Sequence, residues 1–192
     1  MKGIVFNLLE DVVSEHHGPE TWDALVEASG VSGHYTSLGN YPDSDIEALV
    51  AAACAALSLD RSTVLRWFGL NAMPLLAERY PTLFEGHTTT KTFVDGVNDV
   101  IHAEVRKLYP DAVCPHFRLS EAPEGDLLMD YQSVRRMCAL AEGFVVGAGA
   151  YFPRSVWWEK MWRFNAEGKR RGEIMRDKAV LTVLAALFIG GA

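Results

Sequence analysis

Val97-Asn-Asp-Val-Ile-His102-Ala-Glu-Val-Arg-Lys-Leu-Tyr109-Pro110 divides the chain in two. Upstream of it the apolar residues recur at helical spacing, whereas downstream they fall into short runs broken by turn residues. The stretch itself predicts the end of a helix over residues 89–108, stopped by Pro110. Within it His102 follows Ile101 and shares a face with Val105 and Tyr109, away from the acidic side. An imidazole so placed can reach a buried metal, and an ordinary surface or core histidine has the same spacing.

Upstream, Ile4, Val5, Leu8, Leu9, Val12 and Val13 predict a first helix, ended by Gly18-Pro19. A second is expected over residues 20–29, then a loop to Asp43. Ser44 and Glu47 read as a capping box before an alanine-rich helix, and Asp60 or Ser62 as the cap of the next. Downstream, residues 115–120 and 126–133 read as a hairpin, and 135–152 as an apolar helix. Two strand-like runs follow at 156–164 and 174–189, joined by a turn at 165–168. The order, helices first and then an antiparallel sheet crossed by one helix, predicts an α+β fold in a single domain.

The composition sets limits. Of 192 residues, 49% are hydrophobic and 22% charged, a globular balance. The net charge of −7 is uneven, with 5 Lys and Arg against 14 Asp and Glu in the first hundred residues. An acidic chain whose one basic run is Lys169 to Arg171 lacks the clustered cations that bind phosphates, so nucleic acid is excluded as a partner. Cys54, Cys114 and Cys138 form no metal-finger spacing and fit a reducing compartment. The first ten residues do not read as a signal peptide, and the apolar run 179–192 is too short to span a membrane. A cytoplasmic location is expected.

Three groups could carry chemistry. In extended chain Tyr131, Ser133 and Arg135 share a face and offer a phenol, a hydroxyl and a guanidinium, which suits a ligand with paired carboxylates. A plain strand end with a solvent-facing arginine has the same pattern. His102 is the second group. Cys114-Pro115-His116 could supply half of a metal site, with no second pair at a matching spacing. Gly147-Ala-Gly149 lies inside a helix and is no dinucleotide motif.

Together, the opening Met1-Lys-Gly-Ile-Val-Phe-Asn7, the segment Asp99 to Tyr109, Pro115, Tyr131-x-Ser133-x-Arg135 and Ala141-Glu-Gly143 closely resemble the haem nitric oxide/oxygen binding (H-NOX) family. The resemblance implies haem b clasped between a helical part, about residues 1–60, and a sheet-bearing part, about 61–192. It implies His102 as the proximal iron ligand and Tyr131, Ser133 and Arg135 as the propionate clamp. Pro115 matches the proline that presses on the porphyrin. Val5, Leu9, Leu76, Leu140, Phe144 and Gly143 match pocket positions, with helix packing an equal reading of Gly143. The distal position where oxygen-binding members carry tyrosine is Leu140 here, and Leu9 and about Ala72 replace the rest of their polar network.

The resemblance therefore implies a non-enzymatic sensor that binds nitric oxide and carbon monoxide, with nitric oxide weakening the iron to His102 bond. No kinase or cyclase motif occurs in the 192 residues, so output is expected through a partner in trans, a histidine kinase or a diguanylate cyclase or phosphodiesterase. The likeness fades after Phe152. Residues 156–192 hold no histidine or cysteine, so no zinc is expected. A peroxidase-like haem enzyme and a haem-free regulatory module are the alternatives, the first disfavoured by apolar Leu9 and Leu140.

Overall fold

A computed structural model describes residues 1–121 and 127–152, with the backbone of Arg163–Ala166. Helix α1 (Gly3–His17) buries Phe6, Leu9, Val12 and Val13 on one stripe and ends where Gly18 turns to φ +87°. Pro19 then occupies the first turn of α2 (Pro19–Ser29), where its missing N–H costs nothing. Helix α3 (Asp43–Leu57) starts one residue earlier than its expected cap. Pro42 stands at the N-cap with no side-chain cap bond, so the predicted Ser44 and Glu47 box does not form. Glu47 instead grips Arg61 through two hydrogen bonds of 2.9 and 2.5 Å, while Asp43 and Asp45 favour the positive end of the helix.

The cap of α4 (Arg61–Arg79) is Asp60, which accepts from Ser62 N at 2.9 Å and Thr63 N at 3.1 Å. The expected helix over 89–108 divides into three. Thr89 and Thr92 cap each other reciprocally at the start of α5 (Thr90–Gly96); a π turn, Val97–Ile101, follows, and α6 (His102–Leu108) continues it. Strands β1 (His116–Glu121) and β2 (Leu127–Gln132) pair antiparallel, from His116 opposite Gln132 to Glu121 opposite Leu127. Helix α7 (Cys138–Tyr151) shares a core with β2, where Ala141, Val145 and Ala148 join Met129 and Tyr131. Strand β3 (Arg163–Ala166) joins β2 in parallel, which departs from the expected all-antiparallel sheet and turns Asn165 and Ala166 from turn into strand. The rest of the expected run 156–164 and all of 174–189 lie outside the described residues.

Helices α4 and α7 form the spine. A Cβ on Gly143 would lie 2.2 Å from the Arg66 carbonyl oxygen, on Gly69 2.4 Å from that of Leu140, and on Gly147 2.7 Å from that of Leu70. The glycines thus let the two backbones touch. Leu70 O is available to this contact because Pro74, four residues on, has no N–H to give it. Arg66 and the buried Glu142 pair across the same interface at 2.8 Å.

The spine separates two cores. The first gathers Phe6, Leu9, Val12, Ile46, Leu65, Phe68 and Leu140, and the second gathers Met73, Phe84, Phe93, Met129, Tyr131 and Val145. Leu76 and Phe144 pack against both. Among the described residues no single helix is long and apolar enough to cross a membrane. Gly143→Ala forces α4 and α7 apart and is expected to destabilise the fold by about 1–3 kcal/mol, as overpacking does, read as a lowered midpoint in urea.

Candidate functional site

The π turn presents His102. In an α-helix the His102 N–H would bond to Asn98 O, four residues back; here it reaches Val97 O instead. The extra residue rotates His102 into place at the head of α6. Its ring stacks on Phe117 of β1, with centroids 5.8 Å apart and planes 25° apart, and Phe117 in turn meets buried Tyr131 at 5.7 Å. The Nδ1 atom of His102 is buried and has no hydrogen-bond partner.

Such an atom is costly unless something else satisfies it. Burial, with the charge of Arg106 next, pushes the His102 pKa down to about 4; the Pro115 carbonyl only partly offsets this. The imidazole is therefore neutral at ordinary pH, the state in which histidine binds a metal. Histidine in an unfolded chain titrates near 6.5, so this group contributes stability that is present above that value and is lost as pH falls toward 4. Acidifying the haem-free protein from about pH 6.5 to 4 is expected to destabilise the wild type more than His102→Leu. Equal slopes of urea stability against pH in the two proteins would remove the assignment.

Tyr131, Ser133 and Arg135 do not share one strand. Strand β2 ends at Gln132, and the Ser133 hydroxyl takes the Arg135 N–H at 3.2 Å in a side-chain turn. Arg136 follows at φ +52°, which delays α7 to Cys138. The Arg135 guanidinium is mostly buried and well held. Its Nε donates to Asp43 at 3.0 Å and its Nη1 to Val113 O at 2.5 Å. Asp43 also takes the Met1 ammonium at 2.7 Å. Burial alone would raise its pKa, but hydrogen bonds from Met1 and Arg135 prevail and lower it. Sequence reasoning passed over Asp43 because only the fold brings it to Arg135, 92 positions away.

The side chains expected on the distal side are apolar and buried or half-buried. Leu9, Leu140 and Ala72 are buried in the first core, Val5 packs at its margin, and Leu76 and Phe144 stand where the cores meet. Gly143 faces the Arg66 backbone, so the geometry supports its helix-packing reading. Pro115 is half-buried just before β1, beside His102 through its carbonyl. Cys54, Cys114 and Cys138 are free thiols, and among the described residues no three His, Cys, Asp or Glu side chains converge as a metal site.

The donor set fits a haem: a neutral imidazole whose buried Nδ1 has no partner, apolar Leu9, Ala72 and Leu140, a buried phenol at Tyr131, and the held Arg135 guanidinium with the Ser133 hydroxyl beside it. The comparisons agree. A family model described as Haem-NO-binding matches residues 2–160. An H-NOX protein from S. oneidensis, solved in the Fe(II)NO state, is 33% identical, with 80% of this chain and 86% of that chain covered at a TM-score of 0.73. The Shewanella oneidensis H-NOX domain in the Fe(II)CO state is also 33% identical, with 79% and 84% covered and a TM-score of 0.69. Fe(II) unliganded H-NOX protein from K. algicida is 29% identical, with 81% and 85% covered and a TM-score of 0.70.

Proposed function

We propose, from the premise that this chain belongs to the H-NOX family of haem-based gas sensors, that it is a nitric oxide sensor. It takes haem b, with His102 as the iron ligand and Tyr131, Ser133 and Arg135 for the propionates. The observation that carries this reading is the buried, unpartnered Nδ1 of His102 on a ring held neutral. Haem held by His102 would supply a ferrous iron for binding a diatomic gas, and His102 would be the protein group whose hold on that iron answers to the gas.

The chain's own residues set the choice of gas. Bound dioxygen gains most from a hydrogen-bond donor, and the side chains of Leu9, Ala72 and Leu140, all buried, offer none. Nitric oxide and carbon monoxide need no donor, and relatives have been solved with each. Pro115, half-buried with its carbonyl on His102, would press on the porphyrin, and Val5, Leu76 and Phe144 would wall the pocket. Asp43 orients the Arg135 fork before an anion arrives, so less ordering is lost on binding. Were the His102 imidazole freed, α6 would be able to shift relative to the α4–α7 spine and to carry the helical part with it. The family resemblance supports output to a partner in trans, a sensor histidine kinase or a diguanylate cyclase or phosphodiesterase, in the cytoplasm.

The purified ferrous protein is expected to change its Soret band with nitric oxide and with carbon monoxide and to remain unchanged in oxygen. A stable oxygen complex would overturn the gas assignment, and a colourless protein after reconstitution would overturn the haem reading. His102→Ala is expected to lose haem or to lose its response. Arg135→Gln removes a charge-assisted hydrogen bond and weakens haem binding about ten- to hundredfold, and Tyr131→Phe about fivefold, measured by haem transfer to a scavenger protein.

A further inference from the structure

Asn98 stands at the crossing of the groups that present His102. Its side-chain amide makes a two-pronged pair with the backbone of Phe117: Nδ2 donates to Phe117 O at 2.5 Å, and Phe117 N donates to Oδ1 at 3.1 Å. The ring of that same Phe117 is the one on which the His102 imidazole stacks. The Asn98 carbonyl, passed over by the His102 N–H in the π register, accepts from Arg106 Nη2 at 3.3 Å, one turn beyond His102. No residue of the π turn is fully buried, and Asp99 and Val100 are exposed, so packing alone does not hold this register. A π turn gives up α-helical bonds and persists only where its surroundings compensate.

We infer that Asn98 is the positioning residue for His102: by tying the π turn to the Phe117 backbone it fixes the imidazole over the Phe117 ring and couples movement of His102 to strand β1. This rests on the reading of His102 as the iron ligand. Asparagine is the side chain the pair demands, because one short, planar group must donate to a carbonyl and accept from an N–H at once. Aspartate has the same shape but sets a carboxylate against the Phe117 carbonyl. Alanine removes both bonds.

The test compares wild type with Asn98→Asp, Asn98→Ala and Asn98→Gln in the haem-loaded ferrous protein, by hydrogen exchange at the Phe117 amide and by the iron–histidine stretching band in resonance Raman. Asn98→Ala, which loses the acceptor of the Phe117 N–H, is expected to speed exchange at Phe117 about tenfold, the equivalent of about 1.4 kcal/mol, and Asn98→Ala and Asn98→Asp, which both lose the bond to Phe117 O, to move the band. Asn98→Gln, with both groups on a longer stem, should fold and fall between them and wild type. Lys107→Ala, on α6 but paired with Glu104 on the exposed surface, should leave both readouts unchanged. A merely structural Asn98 would lower stability without moving the band, so a band at the wild-type frequency in Asn98→Asp overturns the inference. A wild type with no iron–histidine band overturns the ligand reading and this inference with it. A wild-type band combined with an unmoved band in the variants overturns only this one.

Discussion

The contact of α4 with α7 is the constraint on which the remaining architecture depends. Backbone-to-backbone packing through Gly69, Gly143 and Gly147 brings the two helices closer than side chains would allow, and no neighbouring residue can replace it. Once that distance is set, each helix has a face on both sides, and the apolar residues of the chain sort into two cores instead of one. Leu76 and Phe144 stand at the seam by geometric necessity. The ligand site is a product of the same division. Leu9, Ala72 and Leu140 belong to the first core, His102 stacks on Phe117, which packs against the second, and Ser133 and Arg135 lie where strand β2 gives way to the turn before α7.

That margin is electrostatic in character. Asp43 holds two cations, the Met1 ammonium and Arg135, and each comes from a part of the chain distant from the others. A half-exposed carboxylate with one partner would contribute little. With two partners it joins the start of α1, the start of α3 and the segment after β2 in one network, and networks are where such pairs matter. Lys2 adds a second tie, with its ammonium 4.3 Å from the Tyr109 ring centroid at the end of α6. The first two residues of the chain therefore reach both the Asp43–Arg135 pair and the far end of the helix that carries His102.

Local chemistry made much of this legible before any fold was known. The Asp60 cap, the Gly18-Pro19 break, the antiparallel pairing of β1 with β2 and the helix α7 after it each follow from residues close in sequence to the feature they specify. The features that were not legible depend on partners far along the chain. Glu47 abandons its capping role for Arg61, 14 positions on, and a two-pronged side chain–carboxylate pair is stronger than a single cap bond. The π turn cannot be read from Val97 to Ile101, whose residues suit an α-helix, because its register depends on Phe117, 19 positions from Asn98. Tyr131, Ser133 and Arg135 were recognisable by type. Their arrangement on one strand was not realised, since the Ser133 hydroxyl offers its own backbone a turn in place of the ladder.

The histidine illustrates why the local and the long-range must coincide. A helical His in isolation keeps its nitrogens in water and titrates near 6.5. Here three independent features remove it from that state. The π register aims the ring inward, the Phe117 ring covers one face, and nearby Arg106 and His116 make a second positive charge unwelcome. Burial of the ring without a partner for Nδ1 is unfavourable for the fold by itself, and nothing else among the described residues relieves it. A buried polar atom without a partner, kept at a stability cost, is the arrangement in which coordination to a metal would offset the deficit and in which loss of that coordination would be felt by the elements packed around the ring.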